Sequence, residues 1–546
     1  MNIRVLILAA AVAFAPAAAF AGVVKGKVTC DGKPVAGVQV SDGQSIVRTD
    51  ARGNYRLVSA KADSMVFITT PSGYVAKGLD SVRPGFWAML TEPASKTEVH
   101  DFQLEPQDQT NYSILFITDC HFANDPSRND LSEFSRTIMP LVKTEYAKAS
   151  EKGPVYVFNL GDFTHDLYWY DFGFPGTEAV EFLCQQGFPG PMYAISGNHD
   201  NDAGIAYSGE NTDFISAWNW RRAFGPDRYA VNIGKDHWVV LDDVIYENLG
   251  EPNAKHRNMK GGRSYRCRYT ESQLEWLKKD LESVSPDTRV FLCSHVPVLN
   301  EPLGTERIEQ TQLDTLDAIF SKFEKVYVYS GHTHKMVANA AEGSKYTRFK
   351  PFVFPATSGN MWQNPKGFPA IGTDGCDNGI SIMDCSVSDP KPYYITAKYG
   401  HKLMRCYDLN AVAEYFASDK QCKALAKAAP KRKTFSEAKF KNGIMVNYWG
   451  LQEGDKVEMF EYGESLDVKK VSMDEPLYLI TYVAPKVKKD GTIASAEQKE
   501  RKNTHLFMAT AKYADSPVVV RVTDADGNIV CKDVLVRPKP FGRDAR

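Results

Sequence analysis

Five short fragments of this 546-residue chain bring histidines and aspartates together in a pattern that could do chemistry. They come in a fixed order: Asp119-Cys120-His121, Gly161-Asp162, Gly197-Asn198-His199-Asp200, His295 and Gly331-His332-Thr333-His334. Carboxylate and amide oxygens mixed with imidazole nitrogens suit divalent manganese, iron, zinc, cobalt or nickel. Two such ions roughly 3.5–4 Å apart can set positive charge against a phosphoryl group and lower the pKa of a bound water from about 15.7 towards about 7. The chemistry to expect is hydrolysis of a phosphate ester without a strong base. One fragment alone says little, because D-x-H or G-H-x-H arises readily by chance. Five in order, each closing an apolar run, form a pattern with structural context.

The elements that would position these residues begin after a polar joint, Glu105 to Asn111, where apolar runs alternate with longer helical stretches as in βα units around a buried sheet. The candidate core strands are Ile114 to Asp119, Val155 to Asp162, Met192 to His199, Trp238 to Asp243, Val290 to His295 and Val326 to His332. Nearly every motif residue then stands at the C-terminal end of a strand, where the loops of open α/β sheets gather ligands. The segment Glu271 to Leu281 puts Leu274, Leu277 and Leu281 on one helical face and predicts a core-packing helix.

The flanks read differently. From Val23 to Pro106, turn signals every eight to twelve residues predict a small β-sandwich. Beyond Phe352 the text is β-rich again, with candidate strands Val457 to Tyr462, Leu477 to Val483 and Val518 to Val522, and a turn at Asp524 to Asn528 joining two strands. A basic stretch (Lys420, Lys423, Lys427, Lys431, Arg432, Lys433, Lys439, Lys441) reads as a solvated helix face and loop. Arg4, the apolar run Val5 to Phe20 and the pattern Ala19-Phe20-Ala21 before Gly22 predict a cleavable secretory signal. The expected product is periplasmic or secreted, with no transmembrane span after cleavage. The expected division is 1–21 signal peptide, 22–107 β-sandwich, 108–350 catalytic domain and 351–546 C-terminal β-rich domain.

Composition removes other classes. Hydrophobic residues at 43% and charged residues at 24% exclude wholesale disorder and a polytopic membrane protein. With 65 Lys and Arg against 67 Asp and Glu, no large positive field exists to gather nucleic acid, and no nucleic-acid partner is expected. Ten cysteines are too sparse for a disulfide-stapled scaffold, and Cys120 and Cys293, beside the motif residues, read as small buried residues rather than thiolate ligands.

The five blocks resemble the calcineurin-like metallophosphoesterase superfamily, whose pattern is D-x-H, G-D, G-N-H-D/E, a lone H and G-H-x-H. The resemblance implies a central two-sheet α/β sandwich holding two divalent ions. Asp119, His121 and His334 would hold one ion, Asn198, His295 and His332 the other, and Asp162 would bridge them. His199 would be catalytic, with Asp200 orienting it. The stretch around Gly32-Lys33-Pro34 and Thr49-Asp50 is similar to transthyretin-like modules. Ser358-Gly359-Asn360-Met361-Trp362 and Asp374-Gly375-Cys376-Asp377-Asn378-Gly379 look like those of an exported three-part subfamily. Purple acid phosphatases carry D-x-G and a tyrosine ligand shortly after G-D. This chain has His121 and His165 there instead, which speaks against a tyrosinate-iron centre.

Two features stay open on the residues alone. His165 and Asp166 either line the site or cap the next helix. The aromatic segments Tyr168-Trp169-Tyr170-Phe172 and Trp218-Asn219-Trp220-Arg221-Arg222 read as core packing ahead of a substrate pocket. The combined expectation is an exported hydrolase of phosphate mono- or diesters, acting through a hydroxide that bridges two divalent metals on a small-molecule, lipid or envelope phosphoester. The alternative from another class is a noncatalytic envelope or glycan-binding protein built on a vestigial phosphoesterase core.

Overall fold

The computed structural model describes residues 22–304, 307–365, 368, 370–432, 434–435 and 440–542. The expected signal segment 1–21, and Lys433 and Lys439 of the basic stretch, lie outside the described residues.

Residues 22–106 form the expected β-sandwich. Strand Asn54–Ser59 alternates exposed and buried side chains, the period-2 pattern of a sheet with one wet face. It pairs with Gly22–Cys30 in one sheet, while Ile46–Arg48, Gln39–Ser41, Met65–Thr69 and Trp87–Met89 make the other.

The central part is built on two five-stranded sheets. The first runs Met192–Ala194, Val155–Asn159, Ser113–Ile117, Gly379–Asp384, Tyr393–Thr396, and the second Arg228–Ile233, Asp236–Leu241, Arg289–Cys293, Val326–Ser330, Phe349–Val353. Within the first, Ser113–Ile117, Val155–Asn159 and Met192–Ala194 are parallel. In the second, the last four strands are parallel. Both faces of these strands are covered, so they read as unbroken apolar runs rather than alternating ones. The sheets meet through aromatic rings: Trp238 lies 4.8 Å from Phe158 and stacks on Phe291 at 4.0 Å, and Phe116 lies 5.3 Å from Tyr329. Helix Glu271–Leu281 has the predicted bounds, with Leu274, Leu277 and Leu281 buried and a capping box between Thr270 and Gln273 starting it.

Three expectations change. The core strands stop short of the motif residues, at Ile117, Asn159, Ala194, Cys293 and Ser330, so every candidate ligand stands on a loop just past a strand. Strands Gly379–Asp384 and Tyr393–Thr396, on the far side of the expected boundary at 350, complete the first sheet. Leu477 to Val483 is helical rather than a strand. Glu475 accepts the Tyr478 N–H, Pro476 opens the turn, and the wholly buried run has no period of two to hold it in a sheet.

The C-terminal part has two four-stranded sheets, one containing Gly443–Tyr448 and Leu506–Thr510, the other Lys456–Glu461, Val518–Thr523 and Ile529–Leu535. The basic stretch supplies helix Lys420–Ala428, capped by Asp419. Arg432, expected on the solvated face, is instead fully buried in a two-bond pair with Asp474 at 2.7 and 2.8 Å. The ten cysteines are free thiols. Among the described residues, no helix is long and apolar enough to cross a membrane.

The β-sandwich is joined to the second central sheet by buried polar contacts. Asp280, on helix Glu271–Leu281, accepts from Gln39 Nε2 at 3.0 Å and faces His237 Nε2 at 2.7 Å, and Trp276 Nε1 donates to Ser41 Oγ at 3.1 Å. Replacing Asp280 by Ala strands two buried partners at the junction. Urea unfolding of D280A should show a loss of about 2–3 kcal/mol, and a loss below about 0.5 kcal/mol, the size of an ordinary surface effect, would show the junction to be slack.

Candidate metal centre

The loops after the central strands bring six of the motif side chains into two groups that share one carboxylate. Donor atoms of Asp119, His121, Asp162 and His334 lie within 4.8 Å of one another, as do those of Asp162, His295 and His332. Asn198 joins the second group, its Oδ1 lying 2.8 Å from His332 Nδ1 and 3.2 Å from His295 Nε2. In the first, His334 Nε2 is 2.9 Å from His121 Nε2 and 3.2 Å from Asp119 Oδ1. His295 Nε2 stands 3.2 Å from Asp162 Oδ2. Ligand atoms about 2.0–2.2 Å from one ion lie roughly 3–3.5 Å from each other, so these separations, with His121 somewhat farther from Asp119 and Asp162 at 3.9 and 3.8 Å, are ones a bound ion could draw on in each group. All seven expected ligands are therefore brought together, with Asp162 common to both groups.

The donor set fits divalent ions on chemical grounds. His295 Nδ1 faces the Leu160 carbonyl at 2.8 Å, which puts a hydrogen on Nδ1 and leaves Nε2 to face the centre. Burial and the neighbouring His334 push His121 well below the usual imidazole pKa, and burial and His295 bring His332 down to about 3, so both rings are the neutral form that ligates. Burial would lower His295 too, yet Asp162 outweighs it and holds this ring up to about 10. Burial pushes Asp162 up, but His295 and His199 outweigh it and keep this carboxyl well below its ordinary range. The glycines of the motifs make room: a Cβ on Gly197 would overlap the Asp162 carboxylate and come within 2.8 Å of His295 Nε2.

His199 sits beside the first group, its ring 4.9 Å from that of His121 and its backbone N–H donating to Asp162 Oδ1 at 2.7 Å. The expected partnership with Asp200 does not form. Asp200 turns away from the ring, and its carboxylate accepts from the N–H of Gly197 in its own loop and, across to the loop after Asp162, from the N–H groups of Phe163 and Thr164 and from Thr164 Oγ1. Burial and the charge of Asp162 push it up to about 7. It is Asp166 that meets the imidazole, with Oδ1 2.7 Å from His199 Nδ1. Asp166 is fully buried, and although burial raises its carboxyl, Arg263 and His199 hold it well below the usual range. Its side chain caps no helix end, which resolves the open reading of His165 and Asp166 in favour of the site. The His165 ring is 4.3 Å from that of His199, and burial followed by the charge of His199 brings it down to about 3.

Arg263 is the functional candidate that the motifs did not disclose. Its Nε donates to Asp166 Oδ2 at 2.6 Å, and its NH2 lies 2.9 Å from His199 Nε2. The only sequence signal is Gly261-Gly262 ahead of it, which marks a close backbone approach, here to Asn248 and Leu249, without naming a partner 97 residues away. Of the aromatic segments, Trp169 and Trp220 are core residues as expected. Tyr168 instead lies at the rim, 4.8 Å from the rings of His165 and His256 and under the Arg128 guanidinium at 4.5 Å. Cys120 and Cys293 are buried thiols whose pKa burial raises, the bland role expected of them.

Titration of chelator-treated protein with Zn²⁺ or Mn²⁺, followed by metal analysis, should give two equivalents. Asp162→Asn, which weakens the carboxylate shared by both groups, should lose at least one of them. Two equivalents bound as tightly by D162N as by the unaltered protein would remove Asp162 from the centre.

Comparison with known proteins gives three adjoining family matches: residues 22–107 to the N terminal of calcineurin-like phosphoesterase, 112–336 to calcineurin-like phosphoesterase, and 352–529 to the C terminal of calcineurin-like phosphoesterase. No curated protein matches. Among solved structures, a Staphylococcus aureus protein described as a 5'-nucleotidase is similar at 12% identity and a TM-score of 0.30, the alignment covering 50% of this chain and only half of that one. A dimetal phosphatase from Danio rerio is similar at 12% identity and a TM-score of 0.28, over 52% of this chain and 99% of that one. A calcineurin-like phosphoesterase from Bacillus subtilis is similar at 11% identity and 0.29, over 54% and 92%. On the three family matches, which run in order from residue 22 to residue 529, the chain belongs to the calcineurin-like phosphoesterases that carry N-terminal and C-terminal extensions.

Proposed function

We propose that this protein is an exported phosphoesterase that hydrolyses phosphate mono- or diesters at a centre of two divalent ions. The observation that carries the reading is the sharing of Asp162 between two sets of convergent donors, with His199 beside them. Bound there, two ions would supply positive charge for the phosphoryl oxygens and acidify a water to serve as nucleophile. Asp119, His121 and His334 would hold one ion, Asn198, His295 and His332 the other, with Asp162 between them.

The remaining steps belong to side chains of the chain itself. Asp166 anchors His199 through Nδ1, and Nε2, which faces Arg263 NH2 at 2.9 Å, would stabilise the phosphoryl group and protonate the leaving alkoxide once the guanidinium turns to the phosphoryl oxygens. Arg263 is tied to the same carboxylate through Nε, so its remaining N–H donors can take phosphoryl oxygens next to His199. Asp200 shapes the loop that presents Asn198 and His199. The apolar leader pattern Val5 to Phe20 supports export to the periplasm or beyond, and the near-neutral charge favours a small-molecule, lipid or envelope phosphoester over nucleic acid.

The test is turnover of p-nitrophenyl phosphate and bis-p-nitrophenyl phosphate by protein reconstituted separately with manganese, iron, zinc, cobalt or nickel. Hydrolysis of at least one of them is expected. Complete inactivity with both ion positions filled would instead favour a binding protein on a vestigial core. His199→Ala should lower kcat by about 10²–10⁴-fold without loss of bound ions. Asp166→Asn should lower it by about ten- to hundredfold, as removal of an orienting partner does, whereas Asp200→Asn should register chiefly in thermal stability. Equal kinetic losses in D166N and D200N would refute the division of labour between the two carboxylates.

A further inference from the structure

Behind the turn that carries His332 and His334 lies a polar group that the ion-binding constellation does not use. Asp374, Cys376 and His505 are fully buried, with donor atoms within 4.8 Å of one another. Asp374 Oδ2 faces His505 Nε2 at 3.0 Å and accepts the Met336 N–H at 2.8 Å, while Oδ1 accepts the Cys376 N–H at 3.0 Å. His505 Nδ1 lies 2.7 Å from Asn447 Oδ1, and Asn447 Nδ2 donates to the Asp374 carbonyl at 3.0 Å. That second bond orients the amide, so both ring nitrogens of His505 face acceptor oxygens.

Met336 stands two residues beyond His334, and both its backbone polar groups are held from far along the chain: its N–H by Asp374, and its carbonyl by Thr504 Oγ1 at 3.1 Å. Gly372 closes on the turn from the other side, where a Cβ would come within 2.9 Å of the His334 carbonyl oxygen. The turn itself is strained, with φ of 66° at His332 and 55° at His334, values that non-glycine residues adopt only when their surroundings enforce them. Burial pushes the Asp374 carboxyl up, but His505 and the two amides outweigh it and keep it below the usual range, so the acceptor at Met336 is a charged one.

We propose that Asp374 and His505 are positioning residues for the metal centre: through Met336 they set the backbone of the turn that presents His332 and His334, so that ion affinity depends on the C-terminal part of the chain. The inference rests on the reading above that these histidines hold ions.

The experiment titrates chelator-treated, full-length protein with Zn²⁺ by calorimetry, counts bound zinc by elemental analysis, and records thermal unfolding of each ion-free form. Asp374→Asn and His505→Gln should bind at least one of the two equivalents about tenfold more weakly, the lower end of the loss that follows removal of supporting partners. Thr504→Val, which frees only the Met336 carbonyl, should show a smaller loss of about two- to threefold on the same scale. Folded D374N and H505Q proteins that bind both ions as tightly as the unaltered protein would overturn the proposal. So would a third equivalent of zinc lost in H505Q with the other two unchanged, because the cluster would then be an ion site in its own right. Should D374N and H505Q fail to fold, T504V decides, and unshifted affinity there would overturn the clamp. An unaltered protein that takes up no ion would overturn the metal reading and this inference together, a result distinct from normal uptake that the variants leave unmoved.

Discussion

Left-handed backbone at the ligand positions is the constraint around which the central part of this protein is arranged. Asp119, His121, Asp162, His332 and His334 have φ of 52°, 48°, 49°, 66° and 55°. Each such residue costs on the order of 1–3 kcal/mol and persists only where neighbours over-determine it. The neighbours here are the other ligand loops. Asp119 N–H donates to the Gly161 carbonyl and His121 N–H to that of Asp162, both at 2.9 Å, while His332 N–H donates to the Asp119 carboxylate at 3.1 and 3.2 Å. No loop is held by its own strand alone, so the geometry of the centre is a property of the set.

That bracing has an electrostatic consequence. It packs four buried or half-buried imidazoles around two carboxylates, and the rings settle into different states: against the lowering effect of burial Asp162 holds His295 up and Asp119 holds His334 up, while burial and neighbouring rings drive His121 and His332 down. Neutral imidazole and ionised carboxylate are the ligand forms that cations take, so ions bound there would displace the proton that Asp162 favours on His295. On the His199 side the polarity is organised otherwise. Asp166, clasped by Arg263 and also accepting from Tyr246 Oη at 3.0 Å, stays ionised against the imidazole. Asp200, only one residue from His199 in sequence, spends its oxygens on backbone amides. Two carboxylates of the same type thus take different parts, set by which donors surround them.

The five blocks and their order were readable because each ligand sits on a short loop whose residue types are dictated by the ligand geometry, glycines included. Helix Glu271–Leu281 was readable for a similar local reason, a capping box followed by leucines at helical spacing. Legibility failed where partners are remote. Nothing near Arg263 in sequence points to Asp166 or His199, and the resemblance paired His199 with Asp200, a contact that does not form because the Asp200 side chain is drawn to the amides of Gly197 and Thr164. Leu477 to Val483 was misread because a short apolar run has no period to separate a buried helix from a buried strand. Strand lengths were overestimated for the opposite reason: the apolar text runs on into loops that are buried yet not extended.

The remaining illegible feature, the place of the chain beyond residue 350, follows from sheet edges. Strand Ser113–Ile117 leads into the Asp119–His121 loop and has Val155–Asn159 on one side only. Without a second neighbour it would present a row of unpaired N–H and C=O groups, a costly and aggregation-prone edge. Gly379–Asp384 covers that edge, pairing antiparallel with the same strand. The connecting chain then does more than travel. Phe354 packs on Phe116 at 4.7 Å, Thr357 N–H donates to the Thr118 carbonyl at 2.9 Å, and the Trp362 indole donates to the Cys120 carbonyl at 2.7 Å, between two candidate ligands. A segment that closes the sheet and bonds to the backbone of the first ligand loop is part of the centre's scaffold, whatever further role the β-sheets beyond it have.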